Sequence, residues 1–155
     1  MTKERFTELV LASERTLYRV SMSMLKNETE CEDAVQTAIL TAYEKLSTLK
    51  QEEFFKTWLV RILINVCNKQ LNERKKIISL EDTTEANTPS FPSPADNTEI
   101  RIALEELPEK IKCVIVLYYM ESFSVSEIKS ILKIPEGTVK SRLSKGRELL
   151  RKKLG

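Results

Sequence analysis

The strongest chemical signal in the chain is a run of cations at helical spacing. Between Thr138 and Gly155 there are seven basic side chains and a single acid, Glu148. Lys140, Ser144, Arg147 and Arg151 recur at i, i+4, i+7 and i+11, with Ser141, Lys145 and Lys152 next to them. A helix so patterned presents phosphate-binding cations and short hydroxyls together. A second polar stripe lies upstream, where Arg61, Asn65, Asn68 and Asn72 also fall at i, i+4, i+7 and i+11. Lys56, Lys69, Arg74, Lys75 and Lys76 add charge along the same stretch. Asparagine is a poor helix former, so three of them inside a helix are not ordinary filler. Amides among cations suit hydrogen bonds to phosphates and base edges, although the spacing alone equally describes a solvated polar face. A third stripe, Asp33, Gln36, Leu40 and Glu44, reads from spacing alone as a solvated face.

Catalytic chemistry is poorly supplied. The chain has no histidine, which removes the Ser-His-Asp triad, His-ligated zinc and histidine acid/base catalysis. Its three glycines, Gly137, Gly146 and Gly155, are too sparse for a phosphate-cradling loop. Cys31, Cys67 and Cys113 are odd in number and far apart. They read as buried free thiols in a reducing compartment. The longest apolar run, Cys113 to Met120, is too short to span a bilayer, and the charged N-terminus is no secretory leader. The expectation is a soluble, cytoplasmic, all-α protein that is not an enzyme and uses no cofactor, metal or small-molecule substrate.

Two helical modules must position these stripes. Residues 1–76 carry 13 basic and 11 acidic side chains. Residues 77–99 carry five acids and no Lys or Arg, and residues 100–155 carry 12 basic and 7 acidic side chains. Pro89, Pro92 and Pro94 fall in the acidic middle, so residues 77–98 read as a flexible acidic linker between modules 1–76 and 99–155. That linker is either a solvated tether or an acidic strand lying in a channel meant for nucleic acid.

In the first module a helix from about Lys3 to Lys26 has Phe6, Leu9, Val10, Leu17, Val20 and Met24 on one stripe. Asn27 then caps a second helix, to about Leu46, with Ala34, Val35, Ala38, Ile39, Ala42 and Leu46 facing inward. A third runs from about Glu53 to Lys76, with Phe55, Trp58, Leu59, Ile62, Leu63 and Val66 as its apolar face. The aromatic cluster Phe54, Phe55 and Trp58 sits beside cations, a pairing that can hold unstacked bases. Trp58 nonetheless falls at core spacing.

In the second module a short helix with Ile100, Leu104 and Leu107 ends at Pro108, and a longer one follows with Ile111, Val114, Ile115 and Tyr118 inward. Ser124-Val125-Ser126-Glu127 is a capping box, opening a helix of about nine residues. Lys133-Ile134-Pro135 is a tight turn, and a last helix starts near Glu136 with Val139, Leu143, Gly146, Leu150 and Leu154 inward. Helix, short turn, basic helix is the helix-turn-helix plan. Its geometry puts Thr138, Lys140 and Ser141 nearest a DNA groove, with Arg142, Lys145 and Arg147 reaching bases or phosphates.

In this order the residues resemble the extracytoplasmic-function sigma factors, group 4 of the bacterial sigma-70 family. Asp33-Ala34-Val35-Gln36 is similar to that family's Asp-x-x-Gln signature. Phe55-Lys56-Thr57-Trp58-Leu59-Val60-Arg61-Ile62 is similar to its Phe-Arg-Thr-Trp-Leu-Tyr-Arg-Ile segment. Leu104-Glu105-Glu106-Leu107-Pro108 resembles the entry to its second domain. Gly137-Thr138-Val139-Lys140-Ser141-Arg142-Leu143 is similar residue for residue to its Gly-Thr-Val-Lys-Ser-Arg-Leu motif. Departures are Thr37 for a usual Glu, Ile39 and Tyr43 for commoner Phe and Trp, Lys129 for a small residue and Gly146 for Ala.

The resemblance implies roles. The first module would be sigma region 2, with Asp33, Gln36 and Leu40 docking on the clamp helices of the largest subunit of core RNA polymerase. Lys50, Gln51, Lys56, Arg61 and Asn65 would read and help open the −10 promoter element. The second module would be sigma region 4, with Thr138, Lys140, Ser141, Arg142, Ser144, Lys145 and Arg147 at the −35 element. Part of that module would hold the flap of the second-largest subunit, and the linker would thread the polymerase channel. An anti-sigma factor, often membrane-anchored, would be the inhibitory partner and would hold the protein at the inner face of the membrane. Two other readings need less of the chain. A stand-alone helix-turn-helix regulator uses only the second module, and an adaptor would use the basic helix to bind an acidic protein.

Overall fold

The structure, a computed structural model, describes residues 1–81 and 98–155, with the backbone alone at 78–81. Among the described residues there is no strand. The chain divides into two compact units, one holding the helices before the middle of the chain and the other those after it.

The first unit is three mutually packed helices, α1 Lys3–Leu25, α2 Glu28–Glu44 and α3 Phe55–Glu81. Local chemistry sets the first boundaries. The Thr2 hydroxyl accepts the Arg5 amide at 3.0 Å and starts α1. Lys26 ends it in the left-handed region, φ 58°. Asn27 then accepts the Glu30 amide at 3.0 Å and starts α2. Each such cap stabilises a helix start by about 1 kcal/mol. On α2 the buried residues are Cys31, Ala34, Ala38 and Ala42, all small. They let α1 and α3 approach α2 closely, and Val35, Ile39 and Leu46, expected beside them, are only half-buried.

Helix α3 departs from expectation at both ends and on its core face. A 3₁₀ turn, Glu52–Phe54, precedes it, so it starts at Phe55. It runs to Glu81, so residues 77–81 are helix and not the start of the linker. No Pro or Gly lies before Pro89 to stop it. The prolines Pro89, Pro92 and Pro94 and the remaining linker acids lie outside the described residues. Phe55, Leu59, Val60, Leu63, Ile64 and Cys67 are buried, while Trp58, Ile62 and Val66 are half-buried. The apolar face is wider than one stripe because α3 packs on both α1 and α2.

The second unit is α4 Thr98–Glu105, α5 Glu109–Ile115, α6 Val125–Leu132 and α7 Glu136–Leu154. Helix α5 continues into one π-helical turn, Val116–Met120, closed by the Glu121 amide on the Val116 carbonyl at 3.0 Å. That extra residue per turn shifts the register. Val116 and Leu117 go inward, and Tyr118, expected inward, is exposed. The capping box of α6 is complete: the Glu127 amide donates to Ser124 Oγ at 3.1 Å and the Ser124 amide to Glu127 Oε1 at 2.9 Å. Lys133, at φ 54°, turns the chain, and Pro135 precedes α7. Val139, Leu143 and Gly146 form the buried side of α7, Leu150 is half-buried, and Leu154 is exposed as the helix runs past its neighbours.

Candidate nucleic-acid interface

The first unit offers an exposed stripe on α2 and a loop held against α1. Asp33, Gln36 and Leu40 are all exposed and one helical turn apart, and Leu40 is 64% exposed. Beside them lies an open groove of about 460 Å³ between α2 and α3, lined among others by Thr37, Lys45, Asn65, Lys69 and Glu73. Asn65 thus faces α2's side of the unit, while Arg61 is half-buried one turn earlier.

Lys50 and Gln51 are exposed in the loop between the 3₁₀ turns Leu46–Thr48 and Glu52–Phe54, and Lys56 is exposed on the first turn of α3. The first turns of α1 pin this loop. Arg5 bonds Glu52 at 2.6 Å and Glu8 at 2.9 Å. The hydrogen bond to Glu52 is the main cause holding its guanidinium above the ordinary arginine range. Phe6 packs edge-on against Tyr43 at 5.3 Å and Phe55 at 5.7 Å, and Trp58 tilts on Phe55 at 5.7 Å. Phe54 projects from the loop's end, 56% exposed, an aromatic beside Lys50, Gln51 and Lys56 in sequence. The aromatic cluster announced itself in the sequence, but which ring would face solvent needed the packing of Phe55 to decide.

Not every cation of α3 faces outward. Arg74 donates to the Leu25 carbonyl at 3.2 Å and pairs with Glu30. A cation at the C-terminus of α1, bonded to an acid in the first turn of α2, joins three helices. Arg74 therefore serves the fold and not a ligand.

In the second unit Lys140, Ser141, Ser144, Lys145 and Arg147 are exposed on α7, and Thr138 and Arg142 are half-buried on its flank. Ser141 Oγ donates to the Thr138 carbonyl at 3.1 Å, keeping its lone pairs outward. Glu148 sits 3.9 Å from Lys145 and 3.5 Å from Lys152, so the acid of this helix offsets two of its cations through exposed, weak pairs. Arg147 donates to the Tyr119 hydroxyl at 3.1 Å, a partner supplied by the π-helical turn and invisible in the spacing of α7. Lys153 is tied to Glu106 at 2.6 Å, which docks the end of α7 on α4. Arg142 lies near enough to Cys113 to act on its thiol. Burial first, then Glu109, push that thiol up to about 11, against the pull of Arg142 and Lys112. Arg142 is thus set apart from the exposed cations of α7.

No helix among the described residues is long and apolar enough to cross a membrane. The arrangement is one of binding surfaces: an exposed stripe, a pinned loop and a basic helix in a helix-turn-helix.

Comparison with known proteins agrees. Residues 9–77 match the family model of Sigma-70 region 2, and residues 98–150 that of Sigma-70, region 4. SigW, an ECF RNA polymerase sigma factor of Bacillus subtilis, is 33% identical over 98% of this chain and 90% of its own. The RNA polymerase sigma factor SigV of the same organism is 30% identical over 97% of this chain and 95% of its own. Among solved structures, the sigma factor RpoE in complex with the anti-sigma factor NepR from Bartonella quintana superposes with a TM-score of 0.83, at 25% identity and 97% coverage of both chains. CnrH in complex with the cytosolic domain of CnrY shares the fold at a TM-score of 0.73 and 21% identity, covering 99% of this chain and 89% of its own. With both regions present in order, the chain belongs to the sigma-70 family, as an RNA polymerase sigma factor of its extracytoplasmic-function group.

Proposed function

We propose that this sigma factor docks on core RNA polymerase through α2, reads the −10 element with the loop before α3 and with α3, and reads the −35 element with α7. The observation that carries the docking is Leu40, a large apolar side chain left 64% exposed between exposed Asp33 and Gln36. A lone leucine in solvent is unremarkable, but one framed by the family's Asp-x-x-Gln signature suits a helix-on-helix contact with the clamp helices. Lys50, Gln51, Lys56, Arg61 and Asn65 take the −10 element, and Thr138, Lys140, Ser141, Arg142, Ser144, Lys145 and Arg147 the −35 element, with the three most exposed cations nearest phosphate. The second unit also holds the polymerase flap, and the acidic segment between the units, within residues 77–98, threads the polymerase channel.

The physics suits a subunit that specifies position. One helix-turn-helix binds duplex weakly at physiological salt. Two weak readers joined on one polymerase gain effective concentration and become selective together. Opening the −10 element costs unstacking, which captured single-stranded bases offset. Inhibition by an anti-sigma factor belongs to the same reading and is supported by the likeness to RpoE, solved with NepR. Such a partner, if membrane-anchored, holds this otherwise cytoplasmic protein at the membrane's inner face.

The test is size-exclusion chromatography of the purified protein with bacterial core RNA polymerase. A stoichiometric complex is expected. A folded, inhibitor-free sample that elutes apart from the core enzyme would shift the reading to a stand-alone helix-turn-helix regulator.

A further inference from the structure

The start of α1 holds both ends and the middle of one loop. Phe6 lies between Tyr43, at the end of α2, and Phe55, at the start of α3. These rings flank the loop of residues 45–54. One residue earlier, Arg5 binds Glu52 inside that loop through two nitrogens, Nε and a terminal nitrogen, each at 2.6 Å from the same oxygen. Glu8 holds the guanidinium from the other side at 2.9 Å. The loop's own backbone bonds are few: its two 3₁₀ turns, Leu46–Thr48 and Glu52–Phe54, carry no side-chain cap. Lys50 and Gln51 sit between those turns, in extended backbone with no printed side-chain bond of their own, and Phe54 projects just beyond.

We infer that Arg5 is a positioning residue for −10 recognition: by gripping Glu52 it sets the conformation in which Lys50, Gln51 and Phe54 meet promoter DNA. The inference rests on the reading of this loop as a −10 contact. A second consequence follows from charge. Glu52 and Glu53 lie next to residues that must approach phosphate. Arg5 neutralises Glu52 where a bare carboxylate would repel the strand. A loop fixed before DNA arrives loses less freedom on binding.

The experiment uses wild-type and variant holoenzymes on a promoter selected by the wild-type holoenzyme from DNA randomised across both elements. Lys50→Ala/Gln51→Ala tests the loop reading itself. If it leaves open-complex formation intact, that reading falls and the role of Arg5 falls with it. If it is defective, Arg5→Ala and Glu52→Gln decide the inference. Both are expected to lose about tenfold in open-complex formation, the scale of misplacing a contact group, with core binding unchanged. Both should also speed hydrogen exchange of the amides at residues 50–54 in the free protein. Arg5→Glu/Glu52→Arg, made with Glu8→Gln to remove repulsion, should restore both readouts. Loss in Arg5→Ala with wild-type or better activity in Glu52→Gln would make Arg5 a direct phosphate contact and overturn the positioning role. Unchanged exchange and activity in both, with the Lys50/Gln51 variant defective, would overturn it as well.

Discussion

Gly146 is the tightest point of the second unit. A Cβ there would lie 2.6 Å from Ile115 Cδ1, 2.7 Å from Ile115 Cγ1 and 3.0 Å from Ile111 Cγ2. Carbon atoms pack best at about 3.5–4.0 Å, so one methyl overlaps its neighbours by about 1 Å. Turning the end of Ile115 would move Cδ1 but leave Cγ1 in place, and Ile115 is buried. Two effects oppose each other in Gly146→Ala. Alanine gains about 1 kcal/mol of helix propensity over glycine. Overpacking costs about 1–3 kcal/mol. The net expectation is a loss of about 0–2 kcal/mol, and Gly146→Val, with two more methyls and no propensity advantage of that size, should lose more. For a unit of this size about 1 kcal/mol corresponds to about 4–8 °C in midpoint. The assay is thermal unfolding of the full chain by two probes. Trp58, the single tryptophan, reports the first unit by fluorescence, and far-UV circular dichroism reports both. The valine variant should lower one phase of the dichroism while the Trp58 transition stays. An alanine variant stabilised by about 1 kcal/mol, the full propensity gain, would show that α5 gives way freely and refute the close approach of α5 and α7.

The remaining expectations concern the surfaces and the thiol. Asp33→Ala/Gln36→Ala should weaken core-polymerase binding at least several-fold while leaving the melting midpoint unaltered, because both side chains are exposed. Assembly at wild-type affinity in a titration of core enzyme would remove α2 from the docking surface. Lys140→Ala should cost about 1–3 kcal/mol of promoter affinity if Lys140 reads a base edge, seen as lost transcription on a template with the −35 element. Equal loss on a template lacking that element would argue against α7 as its reader. Cys113 has its thiol raised from 9.0 to about 11, chiefly by burial. The native state therefore favours the protonated thiol. Its contribution to stability is full below pH 9 and disappears as pH rises through about 11. Alkylation of Cys113 at pH 8 should be slow in the folded protein and prompt after unfolding; prompt labelling of the native state would contradict the burial.

Much of this protein was legible before any coordinates. The caps at Asn27 and Ser124 are local, since each side chain bonds a backbone amide three residues on, and both formed as the residues demanded. The helix-turn-helix and the basic outer side of α7 follow from periodicity within a single helix. The family motifs are likewise short and contiguous. What periodicity could not decide is how many neighbours a helix has. Packed on two helices, α3 buries Val60, Ile64 and Cys67, and leaves Trp58, Ile62 and Val66 at the margin. It could not register the single π-helical turn either, because the added residue changes the angular phase only after it forms. That turn brings Tyr118 to solvent and Tyr119 to Arg147. Side-chain partners distant in sequence were equally hidden: Arg74 counted as one more cation until it met the Leu25 carbonyl, and Arg5 was only a charge near the N-terminus until it met Glu52. Sequence determined the elements and the family, since both are written in local patterns. The tertiary structure decided which charges are spent within the fold and which remain for a partner, because that depends on contacts tens of residues apart.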